Sequence, residues 1–210
     1  MLEEIYSQAN LKKRGKRAKM HHIKNDKRSI RSAEMLYDGL AKLMVKMPFD
    51  DIRVKDLVEA AGVGRNTFHR NFDDIVDILW LRCDLVFEGL IQYLIEYTQK
   101  HDDTSPNMLK PVLRYFYLNS DIIELLMTAK RLDIIQSSFL QAVEPYKMRA
   151  LAFFNDDEED YVNYSLIIRI GIITNILVHW IDTGKKRTPD ELADKLNQMY
   201  GNLITFDQVM

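Results

Sequence analysis

The stretch "AAGVGRNTFHRNF", Ala60 to Phe72, decides how this chain is read. A small-residue corner, Ala61-Gly62-Val63, runs directly into Arg65, Asn66, Thr67, His69, Arg70 and Asn71. An enzyme loop, a solvated helix and a helix that enters a DNA groove all place such side chains after a tight corner. The third needs a short supporting helix, a residue tolerant of positive φ, and a second helix exposed along its outer side. Val54 to Ala61 has helical period, with Leu57, Val58 and Ala61 facing inward, and Gly62 supplies the turn. Val63, Phe68 and Phe72 pin the next helix, about Gly64 to Phe72, to a core. That leaves Arg65, Asn66, Thr67, His69 and Arg70 on its outer or N-terminal surface.

These residue types suit base and phosphate contacts. Arg pairs bidentately with guanine and Asn with adenine, at about 1–3 kcal/mol of discrimination per good pair. Arg65 and Asn66 are therefore the expected base readers. Thr67, His69 and Arg70 are expected on phosphates, which position without reading sequence. Gly64 opens the helix and joins this contact set, and Lys55 is placed to reach the backbone from the supporting helix.

Outward from the motif, helical period dominates and strand-like alternation is nearly absent. Lys27 to Met47 carries an apolar stripe at Ile30, Ala33, Tyr37, Leu40, Met44 and Met47, with Asp26 as cap and Pro48 as stop. Asp73 or Asp74 is expected to cap a long helix bearing Ile75, Ile78, Leu79, Arg82, Leu85, Tyr93 and Tyr97. Further helices are expected over Pro106 to Leu118, with Ser105 as start, Ile122 to Arg131, with Asp121 and Glu124 as cap, and Asp133 to Phe153. Tyr161 to Thr183 is an apolar helix closed by Gly184, and "TPDE" (188–191) starts the last one, with Leu192, Leu196, Met199 and Leu203 in one stripe. The expected fold class is all-α: an N-terminal three-helix unit with a helix-turn-helix, then a larger helical unit.

The 210-residue chain, 47% hydrophobic, has ample material for a core. Its net charge of −2 conceals an asymmetry. Leu11 to Arg31 holds ten Lys/Arg against the single acid Asp26, a local +9 that leaves −11 on the remainder. A basic arm over residues 1–26 before an acidic body fits a polyanion, and a solvated charge run is the plainer reading. The lone Cys83 excludes an intramolecular disulfide and fits a reducing compartment. No signal-peptide core is visible, and Leu166 to Ile181 is broken by Arg169, Asn175 and His179, so a cytoplasmic protein without a membrane partner is expected. There is no P-loop, dinucleotide fingerprint, zinc-protease His pair or nucleophile elbow, and the five histidines are dispersed. Neither an enzyme, a cofactor nor a metal is expected.

"DDIRVKDLVEAAGVGRNTFHRNFDD", with the helix before it, resembles the DNA-binding domain of the TetR family of bacterial transcriptional regulators over about Lys27 to Leu79. The later "WIDTGKKRTPDELADKL" (180–196) resembles the last two helices of many members. The resemblance implies a DNA-binding domain at 27–73 and a ligand-binding and dimerisation domain at 74–210. It further implies a homodimer on a near-palindromic operator, acting as a repressor and released by a small effector. The chain departs from the usual pattern: Arg53 replaces a capping Thr or Ser, Val58 an Ala, Gly64 a Ser, His69 a Tyr, and Ile75 a phosphate-binding Lys. A constitutive regulator, or one working through protein partners, is the alternative these departures keep open.

Beyond the motif, Tyr, Phe and Met are abundant, as suits either a core or an apolar effector cavity with polar tips. The cavity reading names Arg82, Tyr93, Tyr97, Arg114, Tyr117 and Met127. Arg82 and Arg114 lie on largely apolar faces and need a partner: Glu88, Asp121, Glu124 or a ligand carboxylate. The Tyr161–Thr183 helix, apolar nearly all round, needs more than one packing partner. With the following helix it forms half of an expected intermolecular bundle through Ile167, Gly171, Thr174, Leu177, Trp180, Leu192, Leu196 and Met199. A core that absorbs all of this surface within one chain is the competing reading.

Overall fold

The computed structural model describes residues 22–23, 26–100, 108–151 and 159–200. Residues 1–21, 24 and 25 of the basic arm, the Ser105–Pro106 helix start, Phe153 and Leu203 lie outside the described residues. Among the described residues every long element is a helix. α1 is Lys27–Met44, α2 Val54–Ala61 and α3 Arg65–Asn71. α4 is Val76–Lys100, α5 Leu109–Leu118, α6 Asp121–Thr128 and α7 Leu132–Leu151. α8 is Glu159–Asp182 and α9 Pro189–Tyr200, and a single 3-10 turn, Phe49–Asp51, lies between α1 and α2.

Local chemistry sets the helix ends. The Asp26 carboxylate accepts from the Ser29 N–H (2.9 Å), which opens α1 as expected. Thr188 and Glu191 exchange reciprocal bonds at the start of α9, the Glu191 N–H to Thr188 Oγ1 and the Thr188 N–H to Glu191 Oε2. Two expected caps differ. Asp77, inside the first turn of α4, accepts from the N–H groups of Asp73 (3.0 Å) and Asp74 (2.8 Å), so it secures that helix start from within. At α6 the preceding Ser120 donates its hydroxyl to Glu124 (2.6 Å), and Asp121 turns its carboxylate away to other partners. A carboxylate one turn into a helix reaches back over the unpaired N–H groups as well as one placed before it.

α1, α2 and α3 enclose a small core of Leu36, Leu40, Leu57, Phe68 and Phe72. α4 leaves this unit, touching α1, and runs through the rest of the molecule against α5, α6 and α7. α9 lies on α5, where Lys110 pairs with Asp194 (2.8 Å) and Arg114 grips Asp190 through two bonds of 2.7 Å. α7 passes through Pro145 without ending. α8 buries Leu166, Ile170, Ile173, Leu177 and Trp180 against α7, α6 and α5. By length and composition its 22 residues Tyr161–Asp182 are sufficient to cross a bilayer, a test that the core helix of a globular protein also passes. In the fold it is a core helix with one bare face.

Candidate functional site

Gly62 takes the left-handed conformation (φ 64°), and the Val63 N–H returns to the Val58 carbonyl (3.0 Å), closing α2 and turning the chain sharply. α3 follows at once. Phe68 and Phe72 are fully buried, their ring centroids 6.0 Å apart, and so fix the roll of this short helix. With that face inward, Gly64, Arg65, Asn66, His69 and Arg70 are exposed and Thr67 is half-buried. Lys55 is exposed on α2. Arg65 Nε lies 3.5 Å from His69 Nε2, one turn along the same outer face. Asn71, counted in the polar cluster by sequence, is buried.

The departures at the helix starts have local consequences. Arg53 has no acceptor for an N-cap, so only the return half forms, its N–H to Asp56 Oδ2 at 3.4 Å. Ile75 is buried among the core residues and presents nothing at the surface. Gly64 has ordinary backbone geometry, and a β-carbon there would meet only Thr67 Oγ1, at 3.9 Å. The His22 N–H donates to the Asn71 carbonyl (2.8 Å) and its ring lies 3.3 Å from the Asp73 carboxylate. This ties the root of the arm to the end of α3.

A joint connects this unit to the remaining helices. The Tyr37 hydroxyl of α1 donates to Asp121 Oδ2 of α6 (3.0 Å), and Arg82 Nη2 of α4 reaches the same oxygen at 3.4 Å. The Arg82 guanidinium lies 4.9 Å from the Tyr37 ring centroid. Burial, then the Asp121 charge, pushes the Tyr37 phenol well above its ordinary range, so it stays a donor. A cleft of about 370 Å³ opens beside these three side chains. On the far side of α6, Lys185, held at φ 51° in the α8–α9 turn, donates to Ser120 Oγ (2.6 Å) and lies 3.7 Å from Glu124.

Along α8 an outward stripe remains: Tyr161, Tyr164, Ile167 and Ile168 are exposed, and a β-carbon on Gly171 would meet nothing. On α9, Met199 and Tyr200 are exposed as well.

A family model described as the transcriptional regulator C-terminal region, TetR_C_8, matches residues 88–202, more than half of the chain. The chain belongs to the TetR family of transcriptional regulators. Among solved structures it is similar to the TetR family repressor AlkX from Dietzia sp. strain DQ12-45-1b, implicated in biodegradation of n-alkanes. That similarity has 16% sequence identity and a TM-score of 0.44, with 80% of this chain and 91% of that chain covered. No curated protein matches the sequence significantly.

Of the six expected cavity residues, Tyr93, Tyr97 and Arg114 lie near one another, while Tyr117 and Met127 stand elsewhere. Arg82 lines the cleft at the joint. Arg114 is committed to Asp190, whose carboxyl it holds below the usual range. Tyr93 and Tyr97 form an aromatic cluster with Tyr115, whose hydroxyl donates to the Val86 carbonyl and whose pKa burial pushes up to about 12. Tyr117 is exposed against Trp180 and below Lys185, and Met127 is half-buried. Of the expected interface set, Ile167, Gly171 and Met199 face outward, and Leu192 and Leu196 are half-buried. Thr174, Leu177 (1% exposed) and Trp180 (4%) are enclosed by their own chain. Sequence reasoning missed Tyr161, Tyr164 and Ile168, although their spacing of three and four marks one helix face. It also missed Glu34 and Asp38, which line the cleft and read in sequence as ordinary solvated positions on an amphipathic helix.

Proposed function

We propose that this TetR-family chain is a homodimeric DNA-binding repressor of transcription in the cytoplasm, with operator affinity set by a small effector. Residues 27–73 carry DNA recognition, residues 74–210 carry ligand binding and dimerisation, and residues 1–26 form a basic arm along the phosphates. The supporting observation is the face of α3: Arg65, Asn66, His69 and Arg70 exposed together while Phe68 and Phe72 lock the opposite side. Arg65 and Asn66 read bases, whereas Lys55, Thr67, His69 and Arg70, with the N–H groups after Gly64, hold phosphates. The bare stripe of α8, continued by Met199 and Tyr200, takes a second copy, and a two-fold pair presents two reading helices to a near-palindromic operator.

The test is fluorescence-anisotropy binding to the DNA upstream of its own gene against a scrambled fragment at several salt concentrations. Strong preference for the upstream fragment with affinity falling steeply in salt is expected. Equal, weak binding to both, repeated in a genome-wide selection, overturns the proposal. A second reading, a regulator without effector control, draws support from the commitment of Arg114 to Asp190 and from Tyr117 lying exposed against Trp180.

A further inference from the structure

The cleft where α1, α4 and α6 meet has an apolar wall and an acidic rim. Ala33, Ile78 and Leu81 supply the wall, and all three are buried. The rim carries the carboxylates of Glu34, Asp38 and Asp121 against one cation, Arg82, a formal balance of −2. That cation is engaged in part, its guanidinium 4.9 Å from the Tyr37 ring centroid and its Nη2 3.4 Å from Asp121, while its buried Nε has no acceptor. Glu34 and Asp38 stand one turn apart on α1, and neither has a hydrogen-bond or ion-pair partner among the described residues. Like charges at that spacing repel, and a half-enclosed cleft with an apolar wall concentrates their field. A volume of about 370 Å³ lies at the small end of ligand sites.

We propose that this cleft binds a small organic cation, an ammonium or amidinium on a compact apolar body. The charge is taken up by Glu34 and Asp38, and the body lies against Ala33, Ile78 and Leu81. An organic anion of the same shape is disfavoured by the net negative rim, on which three carboxylates outnumber Arg82. Such a ligand sits astride the joint at which Tyr37 of α1 holds Asp121 of α6 (3.0 Å). Its effect on DNA affinity rests on the effector-control reading; its binding does not.

The experiment is titration calorimetry on the full chain with phenethylammonium and benzamidinium, and with 3-phenylpropionate as the anionic counterpart. The proteins are wild type, Glu34→Gln, Asp38→Asn and the double variant. Both substitutions are near-isosteric at unpaired positions, and urea midpoints matching wild type confirm that the variants fold. Saturable one-to-one binding of at least one cation, about tenfold or more weaker in the double variant, with no binding of the anion, supports the site. No saturable cation binding, equal binding of the anion, or unchanged affinity in the double variant overturns it. Operator affinity measured with and without the cation separates the two readings. If the cation binds as stated and operator affinity does not change, the site stands and effector control through it fails. If specific DNA binding is intact and no cation binds, the regulator stands and the site falls.

Discussion

Gly39 of α1 lies so close to Ala61 of α2 that a β-carbon on it would stand 2.9 Å from the Ala61 Cβ and 3.0 Å from its Cα and N. Two of those three neighbours are backbone, so the contact cannot be relieved by a side-chain rotation. Gly39→Ala gains about 1 kcal/mol of helix propensity and incurs about 1–3 kcal/mol of overpacking. On balance the clash wins: the variant should be less stable by up to about 2 kcal/mol and unfold at lower urea. A midpoint at or above wild type contradicts this account of the α1–α2 contact.

Base readers and phosphate holders should separate in binding assays. Arg65→Ala and Asn66→Ala should each lower operator affinity by about 1–3 kcal/mol and leave binding to scrambled DNA nearly unchanged. Lys55→Ala and Arg70→Ala should weaken both DNAs alike and reduce the salt slope by about one unit each. Parallel loss of operator and scrambled binding at Asn66 removes it from the base-reading set.

The two faces of α8 should respond differently. Leu177→Ala opens a cavity in a side chain that is 1% exposed and should destabilise the protomer by about 2–5 kcal/mol. Ile168→Glu, at a position 55% exposed, should leave the protomer's circular dichroism unchanged and shift the sedimentation coefficient from dimer to monomer. A dimeric Ile168→Glu protein moves the interface off this stripe.

Asp77 gives a pH signature. Burial raises its carboxyl above the ordinary value, despite the Asp74 and Asp73 N–H bonds that oppose the shift. The folded state therefore binds this proton more tightly than the unfolded state. Its contribution is fullest below the ordinary carboxylate value and is lost as pH rises through the raised one. Relative to Asp77→Asn, which keeps a neutral acceptor for the two N–H groups, wild type should lose stability across that window as pH rises. Urea midpoints of both proteins at matched pH measure the difference, and a difference that grows the other way refutes the direction.

Removing residues 1–24 should lower both operator affinity and the magnitude of its salt slope, since ten Lys/Arg fall between Leu11 and Arg31 and seven of these are deleted. An unchanged slope, read by anisotropy, removes the arm from the DNA contact.

Much of the three-helix unit was legible in the sequence because its signals are local. Gly62 at its corner, Asp26 at its cap and the Leu57, Phe68 and Phe72 pattern each act within a few residues. The long-range pairings were not legible. Asp121 meets Tyr37 across 84 positions and Arg114 meets Asp190 across 76, and no short-range period records such partners. Sequence alone offered Asp121 to Arg82 as one of several choices, and the fold adds Tyr37 as the nearer donor. The apolar helix α8 shows the same limit. Its composition announced too much apolar surface, but only the roll of the helix separates Leu177 and Trp180, inside, from Tyr164 and Ile168, outside.

The bond from the His22 N–H to the Asn71 carbonyl has a consequence for where phosphate contacts would fall along an operator. It roots the arm one length of α3 from Gly64, and seven residues of helix span about 10 Å. At 3.4 Å per step this is roughly 3 base pairs. Phosphates touched by the root of the arm should therefore adjoin those touched by the reading helix, in one short block per half-site when phosphates are blocked one at a time.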